Sequence, residues 1–195
     1  MDAIKAQRAL GLISSSSLDG VKAAVISTDG VDVFDRGPFL NVPYDDSLRE
    51  KLRCLYGDTA CTPELESELT SFYASVVEDI AASYGEKIEQ IGFQGLIVRH
   101  DAAAGSLTEA GSAQALADAV RIPVVSRFRS ADIGAGGQGA PLSAVYHQYI
   151  CAGRETPVVI VNIGGISSLT WLGSNGECLA FDTGPGNAAV NDWVF

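Results

Sequence analysis

The sequence predicts an α/β fold built from one domain and the opening of a second. Short apolar runs bounded by Gly, Ser and Asn-Gly clusters alternate with stretches of helical periodicity. A unit of strand, Gly/Ser-rich loop, strand, turn and strand occurs twice, near residue 10 and again near residue 158. The first copy is followed by helices and further strands, the second only by the beginning of a helix. A first domain is therefore expected over residues 1–155, and a second, cut short, over 156–195. A comparable second domain would need on the order of 100 further residues.

In chain order, Leu10–Ile13 is an apolar run ending at Ser14-Ser15-Ser16-Ser17-Leu18-Asp19-Gly20, and Val21–Ser27 is a second. A turn at Asp29-Gly30 leads to a third run that opens at Val31 and alternates through Val33 and Phe34. Three strands joined by tight turns make an antiparallel meander, so the serines form a hairpin turn and not a linker. Helical spacing follows, with Leu48, Leu52 and Leu55 on one face of residues 46–55. Thr62-Pro63-Glu64 supplies a cap and a proline at the first helical position. That helix is expected to reach Tyr84 and to bury Leu65, Leu69, Phe72, Val76, Val77 and Ile80. Ile88–Phe93 reads as a strand, Ser112–Val120 as a helix and Ile122–Ser126 as a strand. Pro141–Cys151 reads as a helix closed by Gly153. The second unit comprises strands at Val158–Val161, Ser168–Leu172 and Cys178–Phe181, with turns at Asn162–Ser167 and Asn175-Gly176. A helix is expected over Ala188–Phe195.

With 47% hydrophobic and 19% charged residues, the 195-residue chain can bury a core. Its 24 acidic against 13 basic residues give a net charge of −11, which argues against a nucleic-acid surface. An anionic ligand is still compatible, because backbone N–H groups bind phosphate without Lys or Arg. No apolar stretch is long enough to cross a bilayer, and the run Ala9–Ile13 stops in serines before forming a secretory h-region. The four cysteines (Cys54, Cys61, Cys151, Cys178) form no CxxC pair and no zinc spacing. They are expected to be reduced thiols, mostly small core residues, in a cytoplasmic protein.

Three motifs invite chemistry. Gly134-Ala135-Gly136-Gly137-Gln138-Gly139 matches GxGxxG, but the preceding strand is too far away and the next strand ends in Asn162 and not an acid. A Gly-rich loop is the better reading. The serine run lacks a GxSxG elbow, yet hydroxyls and N–H groups on a tight turn can hold phosphate oxygens; a solvated polar turn is the alternative. Phe181-Asp182-Thr183-Gly184-Pro185-Gly186-Asn187 is the sharpest feature. A carboxylate ending a buried strand is costly without a role, and Asp182 suits a general base or a metal ligand. Gly184 and Gly186 would let the backbone approach a ligand, while a helix cap is the competing account of Asp182. His100 and His147 rise no higher than surface or satisfied core histidines, and no residue is assigned to a metal.

Gly11–Gly20, the GAGGQGAPL run, NIGGISSLT at Asn162–Thr170 and FDTGPGN at Phe181–Asn187 occur in one order. Together they resemble the anhydro-N-acetylmuramic acid kinases of peptidoglycan recycling, in their N-terminal half. The resemblance implies an actin-like, sugar-kinase and Hsp70-type ATPase fold with ATP between two related domains. The family reaction opens the 1,6-anhydro ring with water and transfers the ATP γ-phosphoryl to the freed O6. By that resemblance Asp182 activates the water, and Ser15, Ser16, Ser17, Leu18, Asp19, Gly20, Val21 and Lys22 form the first phosphate loop. Gly164 and Gly165 form the second. Arg129, Asp132, Gly184 and Gly186 lie on the amino-sugar side, Mg²⁺ bridges phosphate oxygens, and full-length members are homodimers.

Departures from the family pattern are specific. Its SGTSLDGVD carries Ser15 for Gly, Ser16 for Thr and Lys22 for the final Asp. Its SHGQT becomes Phe93-Gln94-Gly95-Leu96-Ile97, its DFRRRD becomes Arg127-Phe128-Arg129-Ser130-Ala131-Asp132, and its QIGD becomes Glu109-Ala110-Gly111-Ser112. Two expectations follow: a kinase of this family, or a truncated, non-catalytic relative that keeps the fold alone.

Overall fold

The computed structural model describes residues 5–56, 61–101 and 104–194. The chain forms two compact units, one running to Asp101 and resuming over Ser106–Arg127, the other from Phe128 onward. The division falls earlier than residue 155, because the two helices before the second meander group with that meander.

In the first unit, β1 (Gln7–Ser14), β2 (Gly20–Thr28) and β3 (Val33–Pro43) form the expected antiparallel meander. β4 (Gln90–Gln94) joins β1 in parallel and β7 (Val124–Val125) joins β4, giving the order β3-β2-β1-β4-β7. Alternation places Leu10, Leu12 and Ser14 on the covered face of β1, with Gly11 and Ile13 on the other. α1 (Asp46–Arg53) starts where the Asp45 carboxylate accepts the Leu48 N–H at 2.8 Å. α2 (Pro63–Tyr84) starts at the Thr62 hydroxyl, which accepts the Leu65 N–H, with Pro63 at its first turn, and ends at Gly85 in the left-handed region. It lays Leu69, Tyr73, Val76, Val77 and Ile80 against Leu10, Leu12, Val21, Val25, Ile91 and Phe93. Tyr73, absent from the sequence-based core, is fully buried edge-on to Phe93 at 5.0 Å, while Leu65 and Phe72 are only partly buried. α3 (Ala113–Val120), capped by Ser112, packs on α2 and β7.

The hairpin of β5 (Leu96–Asp101) and β6 (Ser106–Ala110) was not foreseen. It follows β4 after Gly95, where a Cβ would collide with the Ala110 carbonyl oxygen.

In the second unit, α4 (Phe128–Gly134) is a further unforeseen element, and α5 (Ala144–Ile150) is shorter than the expected 141–151. Gly134 therefore closes a helix and does not follow a strand, which removes the dinucleotide-fingerprint reading. β8 (Val158–Ile163), β9 (Ile166–Leu172) and β10 (Cys178–Pro185) repeat the antiparallel meander in the order β10-β9-β8. α6 (Asn187–Val194) follows; Phe195, included in the helix expected from sequence, lies outside the described residues. α5 contacts β9 and β10, and His147 Nδ1 lies 2.8 Å from the buried Thr170 hydroxyl. The pairing register puts Val159, Trp171 and Leu179, then Val161, Leu169 and Phe181, on the opposite face. That face is open: Val159, Val161, Ile163, Leu179 and Phe181 range from 40% (Phe181) to 69% (Ile163) exposed.

The cysteine expectation is corrected in part. All four are free thiols, but only Cys151 is buried; Cys54 and Cys178 are exposed. They sit on a helix end and an edge strand, where apolar side chains are not required.

Candidate active site

The first element is the β1–β2 hairpin. It closes through Ser15 N–H to the Gly20 carbonyl and Leu18 N–H to the Ser15 carbonyl, both at 3.0 Å. Leu18 turns the chain with φ +57° while its side chain stays buried. Gly20 is dictated by packing, since a Cβ there would strike the Val42 carbonyl of β3. The hydroxyls form a directed chain. Ser17 donates to the Asp19 carboxylate, so Ser15 must donate to Ser17 Oγ, 2.5 Å away. Ser15 Oγ also takes a long bond, 3.4 Å, from the Ser17 N–H. The Ser15 side chain thus occupies a backbone donor that a glycine would leave open. Val21 is buried in the core and Lys22 exposed on β2, so Val21 shapes the hairpin base and Lys22 presents a positive charge beside it.

The second element is in the other unit. β8 and β9 turn at Gly164-Gly165, and the chain after β10 docks onto that turn. Gly186 N–H donates to the Gly165 carbonyl at 2.9 Å and Asn187 N–H to the Gly164 carbonyl at 2.8 Å. A Cβ on Gly186 would collide with the Gly164 carbonyl oxygen, so this glycine is explained by turn-on-turn packing. Gly164 is different. A Cβ there would meet Ile166 O at 3.4 Å and Asn162 Nδ2 at 3.7 Å, which is ordinary contact. No described neighbour requires a glycine at 164.

Asp182 lies in the same unit, opposite Ser168 on β9, just before a bulge in which Thr183 is the extra residue. Thr183 Oγ1 donates to the Ser167 carbonyl at 3.1 Å, fixing the bulge, and Gly184 follows at φ +142°. The sequence expectation of a buried strand is corrected: β10 is an edge strand and Asp182 is exposed. The bulge falls after it, so Asp182 keeps its regular register and the re-aimed residues are Thr183 and Gly184. Register also sets Asn162, Ser168 and Asp182 in one row across the three strands, on the α5 side. Sequence reading missed Asn162 and Ser168 in this role; strand alternation counted back from Asp182 is the signal that would have found them.

Arg129 and Asp132, on α4, are engaged by their own loop. Arg129 Nη1 donates to the Gly139 carbonyl at 2.8 Å, and the Asp132 carboxylate accepts the Gly139 N–H at 2.7 Å. They brace the GAGGQGAP loop from both sides of one residue. In its unit the structure thus brings together Gly164, Gly165, Asp182, Gly184 and Gly186; in the other it gathers Ser15–Gly20. Among the described residues no three His, Cys, Asp or Glu side chains converge on a metal position.

A family profile for anhydro-N-acetylmuramic acid kinase matches residues 7–195. The chain belongs to the anhydro-N-acetylmuramic acid kinase family. It is 45% identical to the kinase of that name from Paramagnetospirillum magneticum over 189 residues, covering 95% of this chain and 53% of the relative. The Acidiphilium cryptum protein of the same name is 45% identical over 190 residues, with 95% and 53% covered. That from Rhodopseudomonas palustris strain HaA2 is 42% identical over 202 residues, with 96% and 55% covered. The chain spans about half the length of the curated relatives it matches. Family membership carries the sugar-kinase, actin-like fold, whose repeated meander is seen here as β1–β3 and β8–β10.

Proposed function

We propose that this chain supplies the phosphate loops and the general base of a carbohydrate kinase. The kinase opens the 1,6-anhydro ring of anhydro-N-acetylmuramic acid and phosphorylates O6 with ATP, in peptidoglycan recycling. One observation carries the reading: the exposed Asp182, the last residue of β10 before the Thr183 bulge, lies on the strand that leads to a Gly164-Gly165 turn whose first glycine has no internal steric cause. A glycine without internal need is explained by close approach of an outside group, here phosphate oxygens.

In this reading Asp182 takes a proton from the water that attacks the anomeric carbon. The C1–O6 bond breaks, and the freed O6 receives the γ-phosphoryl, leaving N-acetylmuramic acid 6-phosphate and ADP. Ser15–Lys22 and Gly164-Gly165 hold phosphate oxygens through N–H groups and hydroxyls. Gly184 and Gly186, with Arg129 and Asp132 bracing the loop before α5, shape the amino-sugar side. Mg²⁺, when bound, neutralises charge on the transferring phosphoryl group. With one carboxylate, Asp19, on the first hairpin, phosphate oxygens and water would supply most of its ligands. Dependence on ATP and the free thiols support a cytoplasmic location, and the resemblance carries a homodimer of two-domain subunits. No helix among the described residues is long and apolar enough to cross a membrane.

The test is turnover of anhydro sugar and ATP by the protein and its Asp182→Asn variant. Loss of a general base lowers the rate by about 10²–10⁴. A variant within a few-fold of the parent removes Asp182 from the mechanism. The altered SHGQT and DFRRRD segments speak for the second reading, a non-catalytic relative.

A further inference from the structure

The hairpin that would hold phosphate is gripped from one side by three side chains between residues 44 and 56. Tyr44, buried against Phe72 of α2, places its hydroxyl 2.6 Å from the buried Ser14 Oγ at the hairpin base. Arg49 on α1 sends Nε to the Leu18 carbonyl oxygen at 3.3 Å and Nη2 to the Tyr44 carbonyl at 3.1 Å, with Nη1 on Asp46 at 2.8 Å. Beyond α1 the chain makes a further turn, Leu55 N–H to Leu52 O and Tyr56 N–H to Arg53 O. That turn brings the Tyr56 hydroxyl to the Ser16 carbonyl oxygen at 2.8 Å.

The peptide unit is planar and trans, so a carbonyl and the N–H of the following residue point in opposite directions. Capture of the Ser16 carbonyl by Tyr56 therefore turns the Ser17 N–H away from α1, where its one bond among the described residues is the long 3.4 Å contact to Ser15 Oγ that a phosphate oxygen would replace. Capture of the Leu18 carbonyl by Arg49 likewise turns the Asp19 N–H away from α1. A tight turn with alternate carbonyls held on one side presents alternate donors on the other, the arrangement of a backbone anion nest.

We propose that Tyr56 and Arg49 are positioning residues that pre-orient the Ser17 and Asp19 N–H groups of the first hairpin toward phosphate oxygens. This rests on the phosphate reading of the hairpin and adds how its donors are aimed. Preorganised donors bind more tightly because they need no reordering on contact. Tyr56 is 41% exposed, yet desolvation around its hydroxyl pushes the pKa up to about 12, so it stays a donor across the working range. The sequence motif ends at Lys22 and gives no hint of this, since both positioning residues lie about thirty residues further on.

The experiment uses the chain labelled for amide NMR, with Tyr56→Phe and Arg49→Met variants and inorganic tripolyphosphate as probe. One net hydrogen bond of about 1 kcal/mol corresponds to a change of about fivefold. In the phosphate-free chain, Tyr56→Phe should speed exchange of the Ser17 amide about fivefold and Arg49→Met that of Asp19. Tripolyphosphate affinity should fall by a similar factor, and the exchange effect should stay at Ser17 for Tyr56→Phe and at Asp19 for Arg49→Met, a residue-by-residue split that a general loss of stability would not produce. Variants with parental exchange and parental affinity overturn the proposal. A parent whose hairpin amides ignore tripolyphosphate overturns the phosphate reading, and the exchange data then still decide whether the clamp orients the turn.

Discussion

Gly164 and Gly186 both sit where the second meander turns, yet the geometry assigns them different causes, and alanine at each should separate them. At Gly186 the added methyl would collide with the Gly164 carbonyl oxygen and lie 3.0 Å from Ser167 Oγ. Two backbone bonds, Gly186 N–H to Gly165 O and Asn187 N–H to Gly164 O, would have to lengthen or break. Each is worth roughly 1 kcal/mol net and the overpacking adds about 1–3, so Gly186→Ala should destabilise its unit by about 3–5 kcal/mol if both bonds are lost. Gly164→Ala meets nothing closer than 3.4 Å and should change stability by less than about 0.5 kcal/mol. If phosphate approaches the Gly164 backbone, the same methyl should weaken Mg·ATP binding at least about tenfold, the effect of losing ~1.4 kcal/mol. Urea unfolding, amide exchange at Gly186 and Asn187, and nucleotide titration read all three quantities. Equal destabilisation by the two alanines, or unimpaired nucleotide binding by Gly164→Ala, would refute the reasoning.

Ser15→Gly removes the hydroxyl that takes the Ser17 N–H at 3.4 Å and should raise Mg·ATP affinity about two- to tenfold by calorimetry; no gain means that Ser15 does not compete with phosphate. Burial lifts the hydroxyl pKa of Tyr44 and Tyr73, and local desolvation lifts that of the partly exposed Tyr56 to about 12. The folded values exceed the unfolded one of about 10, so this stabilisation is complete below about pH 10 and is lost as pH rises through the folded values. In a tyrosinate absorbance titration, Tyr56→Phe should delete a step near 12, and deletion of a step near 10 would contradict the desolvation argument. The open apolar face of β8–β10 should drive concentration-dependent self-association in sedimentation, which Val161→Lys reduces; a monomer at all concentrations would count against it.

Much of the architecture was legible because local rules agree with tertiary ones. Asp45, Thr62 and Ser112 cap the helices that follow them, and the alternation of Leu10, Leu12 and Val21, Ala23, Val25 sets the covered face of the first sheet. The repeated meander was legible for the same reason, since each strand ends in Gly, Ser or Asn-Gly turn chemistry. The β5–β6 hairpin was not, because Gly95 joins it to β4 with no polar break and its strands lack clean alternation. Nor was α4, whose short FRSADIG stretch carries no cap and is held by Asp132 and Arg129 reaching across to Gly139. At the candidate site the motif residues were readable, but the bulge at Thr183, the row Asn162–Ser168–Asp182 and the grip of Arg49 and Tyr56 depend on contacts between distant segments. Composition and spacing hold no record of those.

The Ser15–Gly20 turn of one unit and the Gly164-Gly165 turn of the other are each proposed to bind phosphate oxygens. Amide NMR of the chain titrated with Mg·ATP tests this most directly. The predicted result is saturable shifts concentrated in Ser15–Gly20 and Gly164-Gly165, abolished in the first set by Ser17→Pro, which deletes a donor N–H. Shifts confined to other segments, or none at millimolar nucleotide, would contradict it.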